Sequence, residues 1–327
     1  MRTPRCAIVW CMQARSDGPP AFTKPDAIDP ALRAISRILP RGYGLHRGLK
    51  LPRALMKLAG ITGRLRDVPV VAVNDAVSVR LHRPAGLPDP GPALLWIHGG
   101  GTVMGSAAQE DQYCRKLSHL AGVAVAAVDY RLAPEHPYPT PVEDCYAALL
   151  WLRQQQWVDP SRIVVAGASA GNLFAATLVQ LACDRGDVEP VLQMLVYPML
   201  DDRTGSGPNG HKRIMWSERD NQQAWQLYLA GADPSTAAPA RRADLSNLPP
   251  AWIGVGTLDL FHQECLDYAA RLRDAGVEVH EQIADGAFHA FDLLAPNAQV
   301  SLGFFASQCQ FLRTHLHAAV SDQPQAP

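Results

Sequence analysis

Short runs of apolar, mostly β-branched residues alternate along the chain with longer segments of helical periodicity. Eight runs are predicted strands, and they read "VVAV", "VSVRLHRP", "ALLWIH", "VAVAAVDY", "RIVVAG", "VLQMLVYP", "AWIGVGTLD" and "VEVHEQI". Four intervening segments place apolar residues at helical spacing: "AAQEDQYCRKLSHLAG", "TPVEDCYAALLWLRQQQ", "AGNLFAATLVQLACDRG" and "HQECLDYAARLRDAG". This order predicts an α/β fold with a mostly parallel sheet that carries helices on both faces. The first two runs are close together and are expected to form an antiparallel hairpin at one edge.

Two regions interrupt this alternation and divide the chain. Residues 1–66 hold a basic helical pattern that prolines break, and residues 201–248 separate two of the predicted strands. The predicted core is therefore made of residues 67–200 and 249–320. An insertion at the carboxyl ends of parallel strands lies over the crevice where such sheets bind ligands. Both interrupting regions are predicted to form a cap, in which Ser217 begins a helix.

One serine lies among small residues in the segment "IVVAGASAGNLFAATLV". The strand is expected to end at Ala166 and the helix to begin just past Ser169. So abrupt a turn brings neighbouring backbone close, and Gly167 and Gly171 stand at the two positions that must be tiny. Such an elbow lifts the serine Oγ clear of the sheet and directs a helix N-terminus at whatever that oxygen attacks.

A serine hydroxyl needs a base, and the base needs a group that orients it. In this type of sheet the chain order is serine, acid, histidine. His289 in "DGAFHAFD" follows the last predicted strand, and Asp259 ends the strand "AWIGVGTLD", so both are expected at the sheet edge that carries Ser169. The predicted triad is Ser169, Asp259 and His289, with Glu264 as the reserve acid.

Three glycines follow a predicted strand in "LLWIHGGGTVMGS". A flexible turn is one interpretation and a phosphate cradle another, but the cradle needs G-x-G-x-x-G before a helix or a lysine after the glycines. Neither is present. The glycines fit an oxyanion hole better, in which the N–H groups of Gly99, Gly100 and Ala170 point at a developing negative oxygen.

The composition and the net charge limit the classes of binding partner that are expected. The 327 residues are 47% hydrophobic, and their formal net charge of -1 sets up no long-range field. The expected partner is therefore a small, uncharged molecule and not nucleic acid or an anionic membrane surface. No apolar stretch approaches the roughly 18 residues of a membrane span.

The seven cysteines are scattered and match neither a zinc-site spacing nor a disulfide framework. They are expected to be reduced and mostly buried in a cytoplasmic protein, and no metal site is predicted. An apolar run from Ala7 to Met12 follows basic residues, but it is shorter than the roughly 7–15 residues of a signal-peptide core.

Six spaced segments, "HGGGTVMGS", "DYRLAPEHPYP", "GASAGN", "VYPMLDDRT", "GTLDLFHQE" and "GAFHAFD", resemble the hormone-sensitive-lipase-like carboxylesterases of the α/β-hydrolase superfamily. The resemblance runs in order from about residue 66 to residue 295. It implies an α/β-hydrolase fold with an eight-stranded sheet and a helical cap, no cofactor, and hydrolysis of short-to-medium acyl esters. It also places the nucleophile, acid, base and oxyanion donors on Ser169, Asp259, His289, and on Gly99, Gly100 and Ala170.

The chain departs from this family beside the nucleophile. Ala168 and Asn172 stand where the family often has a polar residue and a glycine, which leaves the hydrogen bonding around the serine open. Arg131, Glu135 and Asp144 in the proline-rich segment are expected to form a buried ionic scaffold behind the oxyanion loop.

Four apolar cap residues, Met215, Trp216, Trp225 and Tyr228, are predicted to close an acyl pocket, with packing inside the cap as the alternative. Two other functions remain open: a catalytically weak ligand-binding protein on the same scaffold, and an amidase or carbamate hydrolase with the same machinery. The oligomeric state is also open, with a homodimer as the candidate.

Overall fold

An eight-stranded sheet runs through the computed structural model, which describes residues 27–205 and 213–317. The strands are β1 (Val70–Ala72), β2 (Ser78–His82), β3 (Gly91–Ile97), β4 (Ala124–Asp129), β5 (Val158–Ala168), β6 (Leu192–Val196), β7 (Ala251–Gly256) and β8 (Val279–Ala284). They lie in the order β1-β2-β4-β3-β5-β6-β7-β8. Strands β1 and β2 form the predicted antiparallel edge hairpin, and all pairings from β4 to β8 are parallel. The predicted α/β fold and its eight strands are confirmed.

Helices cover the sheet and form the cap. They are α1 (Arg33–Ser36), α2 (Lys50–Gly63), α3 (Asp111–Ala121), α4 (Thr140–Arg153), α5 (Gly171–Arg185), α6 (Glu218–Leu229), α7 (Pro234–Ala237), α8 (His262–Asp274), α9 (Phe291–Leu294) and α10 (Gln299–His317). The four helices predicted between strands correspond to α3, α4, α5 and α8. The long helix α10 was not predicted, and it packs against α3 and α9.

Two central strands are buried along their whole length because helices cover both faces of the sheet. All seven residues of β3 are buried, as are all five of β6. Strand β5 extends to Ala168, two residues beyond its expected end at Ala166, because its pairing with β6 continues to that residue. This extension brings the sheet directly up to Ser169.

The carboxylate of Asp220 joins the two regions predicted to form the cap, and the Met215 N–H also donates to the Pro40 carbonyl at 2.8 Å. Ser217 begins helix α6 as predicted, and its Oγ accepts the Asp220 N–H at 3.2 Å. The Asp220 carboxylate accepts the N–H groups of Tyr43 at 2.8 Å and Leu45 at 2.9 Å, both in the N-terminal region. The apolar run from Ala7 to Met12 lies outside the described residues, and so do residues 206–212 and 318–327.

A buried ion pair fastens the edge hairpin to the helical layer. Arg80 of β2 donates two hydrogen bonds to the carboxylate of Asp111, one of them from Nε at 2.7 Å, and both side chains are almost fully buried. Leu65 N–H donates to the same carboxylate at 2.7 Å. Burial opposes ionisation of Asp111, but His82, Arg80 and this N–H together hold its pKa below the usual value.

Replacing Asp111 by alanine leaves a buried guanidinium without its acid. We expect Asp111→Ala to lower the free energy of unfolding by about 3–5 kcal/mol, measured by urea denaturation. The matched control is Asp89→Asn, which breaks the exposed pair with Arg83 and should cost less than about 1 kcal/mol. Equal losses in the two variants would contradict this account of the buried pair.

Candidate active site

Close approach of backbone fixes the elbow between β5 and α5. Ser169 has a φ of 54°, a left-handed conformation that side chains other than glycine rarely adopt. A Cβ on Gly171 would lie 2.0 Å from the carbonyl oxygen of Ile97 in β3, and one on Gly167 would lie 2.7 Å from the same oxygen. Only glycine fits at these two positions. Ser169 lies between them and adopts the left-handed conformation that the turn requires.

Hydrogen bonds to strand β6 hold the strained serine. Ser169 N–H donates to the Val196 carbonyl at 2.9 Å, and the Asn172 side-chain amide donates to the same oxygen at 2.7 Å. The Ser169 carbonyl accepts the Met199 N–H at 3.2 Å. Asn172 thus ties the start of α5 to the strand beside it, which answers the question raised by its departure from the family.

The structure brings together the three residues of the predicted triad. His289 Nε2 lies 2.9 Å from Ser169 Oγ, and His289 Nδ1 lies 2.8 Å from Asp259 Oδ2. A carboxylate can only accept, so Nδ1 carries the ring proton and Nε2 is free to accept the serine proton. The second Asp259 oxygen accepts the Phe261 N–H at 3.0 Å, which fixes the carboxylate. Side chains of all three residues are buried.

Two aromatic rings position the imidazole. Tyr197 and Phe261 pack edge-on against His289 with ring centroids 5.0 Å and 5.3 Å away. Glu264, the reserve acid, instead accepts the Leu200 N–H at 2.7 Å, and burial raises its pKa well above the usual value. Glu264 therefore anchors the chain after β6.

The glycine loop differs from the prediction at one donor. The Gly99 N–H donates to Glu110 Oε1 at 3.3 Å, so it is committed to a carboxylate and the assignment of Gly99 as an oxyanion donor is wrong. The N–H groups of Gly100, Gly101 and Ala170 make no hydrogen bond to any described residue. Gly100 and Gly101 have φ values of 127° and 61°, a path that a chain with Cβ atoms does not readily follow.

Glu110 is a functional residue that the sequence analysis missed. Its buried carboxylate accepts the Trp96 indole N–H, the Gln109 side-chain amide at 3.1 Å and the Gly99 N–H. These bonds hold the glycine loop from behind. The only signal in the sequence was the adjacent pair Glu110 and Asp111 at the start of a predicted helix, where charged residues are usually exposed.

The predicted ionic scaffold is partly confirmed. Arg131 donates to both oxygens of the buried Asp144, at 2.9 Å and 2.6 Å. Glu135 is wrong as a buried member, because it is 55% exposed and pairs with Arg53 of helix α2. Arg53 also donates to the Val103 carbonyl at 2.8 Å, so this pair connects the cap to the glycine loop.

A cavity of about 820 Å³ opens at the serine. Met215 and Trp216 line it as predicted, and Trp216 packs over Gly101. Trp225 and Tyr228 were predicted to line it as well, and this is wrong. Tyr228 packs against Phe174 of helix α5, and Trp225 packs on Tyr228, because this face of α6 turns toward the core.

Within residues 27–205 and 213–317, His, Cys, Asp and Glu side chains form no group of three or more that suits a metal ion. Across the same ranges, none of the helices combines the length and apolarity needed to cross a membrane.

Comparison with known proteins identifies the relatives of the chain. A family model described as the α/β hydrolase fold matches residues 94–293. Esterase LipI of Mycobacterium tuberculosis is 34% identical over 81% of this chain and 88% of its own length. Ethyl acetate hydrolase of Pseudomonas putida is 36% identical over 65% of this chain and 70% of its own length. The solved structure of a bacterial heroin esterase is 35% identical with a TM-score of 0.80, and the match covers 90% of this chain and 100% of that one.

The elbow glycine and a helix glycine offer a matched pair of substitutions. We expect Gly171→Ala to destabilise the fold by about 3 kcal/mol, because its Cβ would overlap the Ile97 carbonyl. Gly303→Ala in helix α10 places its Cβ in open space and should stabilise by about 0.5–1 kcal/mol. Thermal unfolding of both variants checks the pair, and a Gly171→Ala protein as stable as the wild type would refute the close approach.

Proposed function

We propose that this chain cleaves short-to-medium acyl esters through an acyl-enzyme on Ser169. The chain belongs to the hormone-sensitive-lipase-like branch of the α/β-hydrolases and is a carboxylic ester hydrolase. The observation that carries the mechanism is the 2.9 Å contact between Ser169 Oγ and His289 Nε2. A contact of this length allows direct proton transfer from the hydroxyl to the imidazole.

Acylation begins when His289 takes the hydroxyl proton and Ser169 Oγ bonds to the ester carbonyl carbon. Asp259 keeps the ring oriented and stabilises its protonated form. As the tetrahedral intermediate collapses, the bond to the alcohol oxygen breaks and His289 gives its proton to that oxygen. The alcohol leaves, and the acyl group stays on the serine.

The negative oxygen of the intermediate is assigned to the N–H groups of Gly100, Gly101 and Ala170. These donors flank the nucleophile and are free of partners among the described residues. One such donor is typically worth about 2.7–4 kcal/mol of barrier. Glu110 contributes indirectly, since it anchors the Gly99 N–H and so sets the path of the next two glycines.

Deacylation uses the same groups with water as the nucleophile. His289 removes a proton from water, the hydroxide oxygen bonds to the acyl carbon, and the bond to Ser169 Oγ then breaks. The imidazole returns its proton to the serine oxygen, and the carboxylic acid leaves. The cycle consumes one ester and one water and regenerates the free enzyme.

The alternative functions receive less support. A ligand-binding protein does not need a serine within hydrogen-bond distance of a histidine that a buried carboxylate orients. An amidase would use the same residues, but relatives such as LipI and the bacterial heroin esterase are named as esterases. A cytoplasmic location is part of the proposal, supported by five free cysteines among the described residues, four of them buried.

Ser169→Ala removes the nucleophile, and we expect it to lower kcat for p-nitrophenyl butyrate by about 10⁴-fold or more with the fold intact. His289→Asn should lose a similar amount, and the double variant little more, because the residues act as one unit. Ser161→Ala, at the exposed opposite end of β5, is the control and should retain wild-type rates. Undiminished turnover by Ser169→Ala would overturn the assignment of the nucleophile.

The size of the cavity limits the length of the acyl chain. With about 820 Å³ available, we expect p-nitrophenyl esters of about two to eight carbons to give the highest kcat/KM. Activity should fall steeply toward palmitate, because a longer chain must displace Trp216 and Met215. A series of chain lengths measures this, and a preference for triolein over butyrate would reject the size limit.

A further inference from the structure

The cavity beside Ser169 contains a buried carboxylate that the proposed chemistry does not use. Asp292 lies three residues after His289, lines the same cavity and is only 6% exposed. Neither of its carboxylate oxygens makes a hydrogen bond of normal geometry to a described residue, and the Tyr197 hydroxyl and the N–H groups of Asp292 and Leu293 offset only part of the cost of its burial. A buried, unpartnered carboxylate is costly, so its presence in a substrate cavity points to a ligand that supplies the missing partner.

Two more polar groups line the same cavity without partners. The hydroxyls of Tyr197 and Ser301 are buried, and no described residue accepts from them or donates to them. Burial and then the charge of Asp292 raise the pKa of Tyr197 well above the usual value. Asp292, Tyr197 and Ser301, which all line this cavity, are called the polar lobe.

The lobe has a negative local charge. Burial raises the pKa of Asp292 to about 6, partly opposed by the Tyr197 hydroxyl, so the carboxyl is mostly ionised at neutral pH. Glu110 adds a second buried carboxylate to the cavity wall. Lys116 is exposed at the rim, with Nζ 4.3 Å from the Phe305 ring centroid, and solvent screens its charge.

We propose that this lobe binds an ammonium group of the substrate, so that the enzyme favours basic esters over neutral esters of the same shape. An ammonium N–H donates to the Asp292 carboxylate, and its charge compensates the buried anion. The cavity also presents the aromatic rings of Tyr113, Tyr197, Phe305 and Trp216, which attract cations through their faces. The net charge of the chain gave no reason to expect this, because a ligand responds to the local charge of its cavity.

The inference deepens the proposed function and rests on it wherever turnover is measured. Two pairs of isosteric esters test it, one for each side of the ester bond. The alcohol pair is 2-(dimethylamino)ethyl butyrate and 3-methylbutyl butyrate, and the acyl pair is ethyl 4-(dimethylamino)butanoate and ethyl 5-methylhexanoate. Within each pair a protonated nitrogen replaces a CH group, and acid release in a pH-stat gives kcat/KM for all four.

We expect the wild type to prefer the basic member of at least one pair by about tenfold or more, the effect of one charge-assisted hydrogen bond. Asp292→Asn should reduce that basic-to-neutral ratio by about tenfold. The control is Asp285→Asn, an exposed carboxylate in the loop before His289, which should leave the ratio within about twofold of the wild type. A wild type that prefers the neutral ester in both pairs would overturn the proposal, as would an unchanged ratio in Asp292→Asn.

The pH dependence of this ratio separates Asp292 from its neighbours. In the wild type the ratio should rise from pH 5 to pH 7.5, because Asp292 loses its proton while the amine keeps its own. The other titratable groups that face the cavity are Tyr43, Glu110, Tyr113, Lys116, Tyr197 and His289. All of them remain in Asp292→Asn, so a rise that persists in this variant would assign the effect to them and reject Asp292.

A binding experiment keeps the inference testable without turnover. We expect millimolar 3-methylbutylamine to raise the Tm of Ser169→Ala more than 3-methylbutan-1-ol does, and the difference to vanish in Ser169→Ala/Asp292→Asn. If this difference is found but the wild type hydrolyses none of the esters, the ammonium site is retained and the esterase mechanism is rejected. If the wild type hydrolyses esters but the amine does not bind selectively, the esterase mechanism is retained and the ammonium site is rejected. A Tm of unliganded Asp292→Asn near the wild-type value shows that the variant is folded.

Discussion

The carbonyl oxygen of Ile97 occupies the space that a side chain on Gly167 or Gly171 would fill, and the site depends on this contact. It exists because β3 and β5 are parallel neighbours whose pairing brings Ile97 opposite Gly167. The same contact places the end of β3, and therefore the glycine loop, directly beside Ser169. Nucleophile and backbone donors are thus neighbours because of strand order, and no long side chain is needed to join them.

Buried carboxylates do different work according to what faces them. Asp259 meets an imidazole and fixes its tautomer, Asp111 meets a guanidinium and fastens the edge of the sheet, and Glu110 meets three N–H donors and anchors the glycine loop. Each of these anions is compensated within the protein. Asp292 makes no hydrogen bond of normal geometry to any residue that the structure describes, and that contrast is why it is the proposed position for a ligand.

The cap is joined to the catalytic core by specific contacts. Asp220 of α6 accepts N–H groups from the N-terminal segment, and Arg53 of α2 bonds to Glu135 and to the carbonyl behind the glycine loop. Trp216 rests on Gly101 within the cavity wall. The size of the cavity and the path of the glycine loop are therefore coupled, because Trp216 lines the cavity and also contacts the loop.

The sequence by itself determined the strands, the elbow and the three residues, Ser169, Asp259 and His289, that the fold brings within hydrogen-bond distance. Its apolar periodicity marked all eight strands, and the tight spacing around Ser169, with Asp259 and His289 after later strands, left few other arrangements. Only the tertiary structure decided which glycine N–H groups are free, since that depends on Glu110 folding back onto Gly99. It also decided which side of α6 faces the cavity, and so excluded Trp225 and Tyr228. These outcomes depend on the packing of side chains from distant segments, and local patterns of polarity do not encode them.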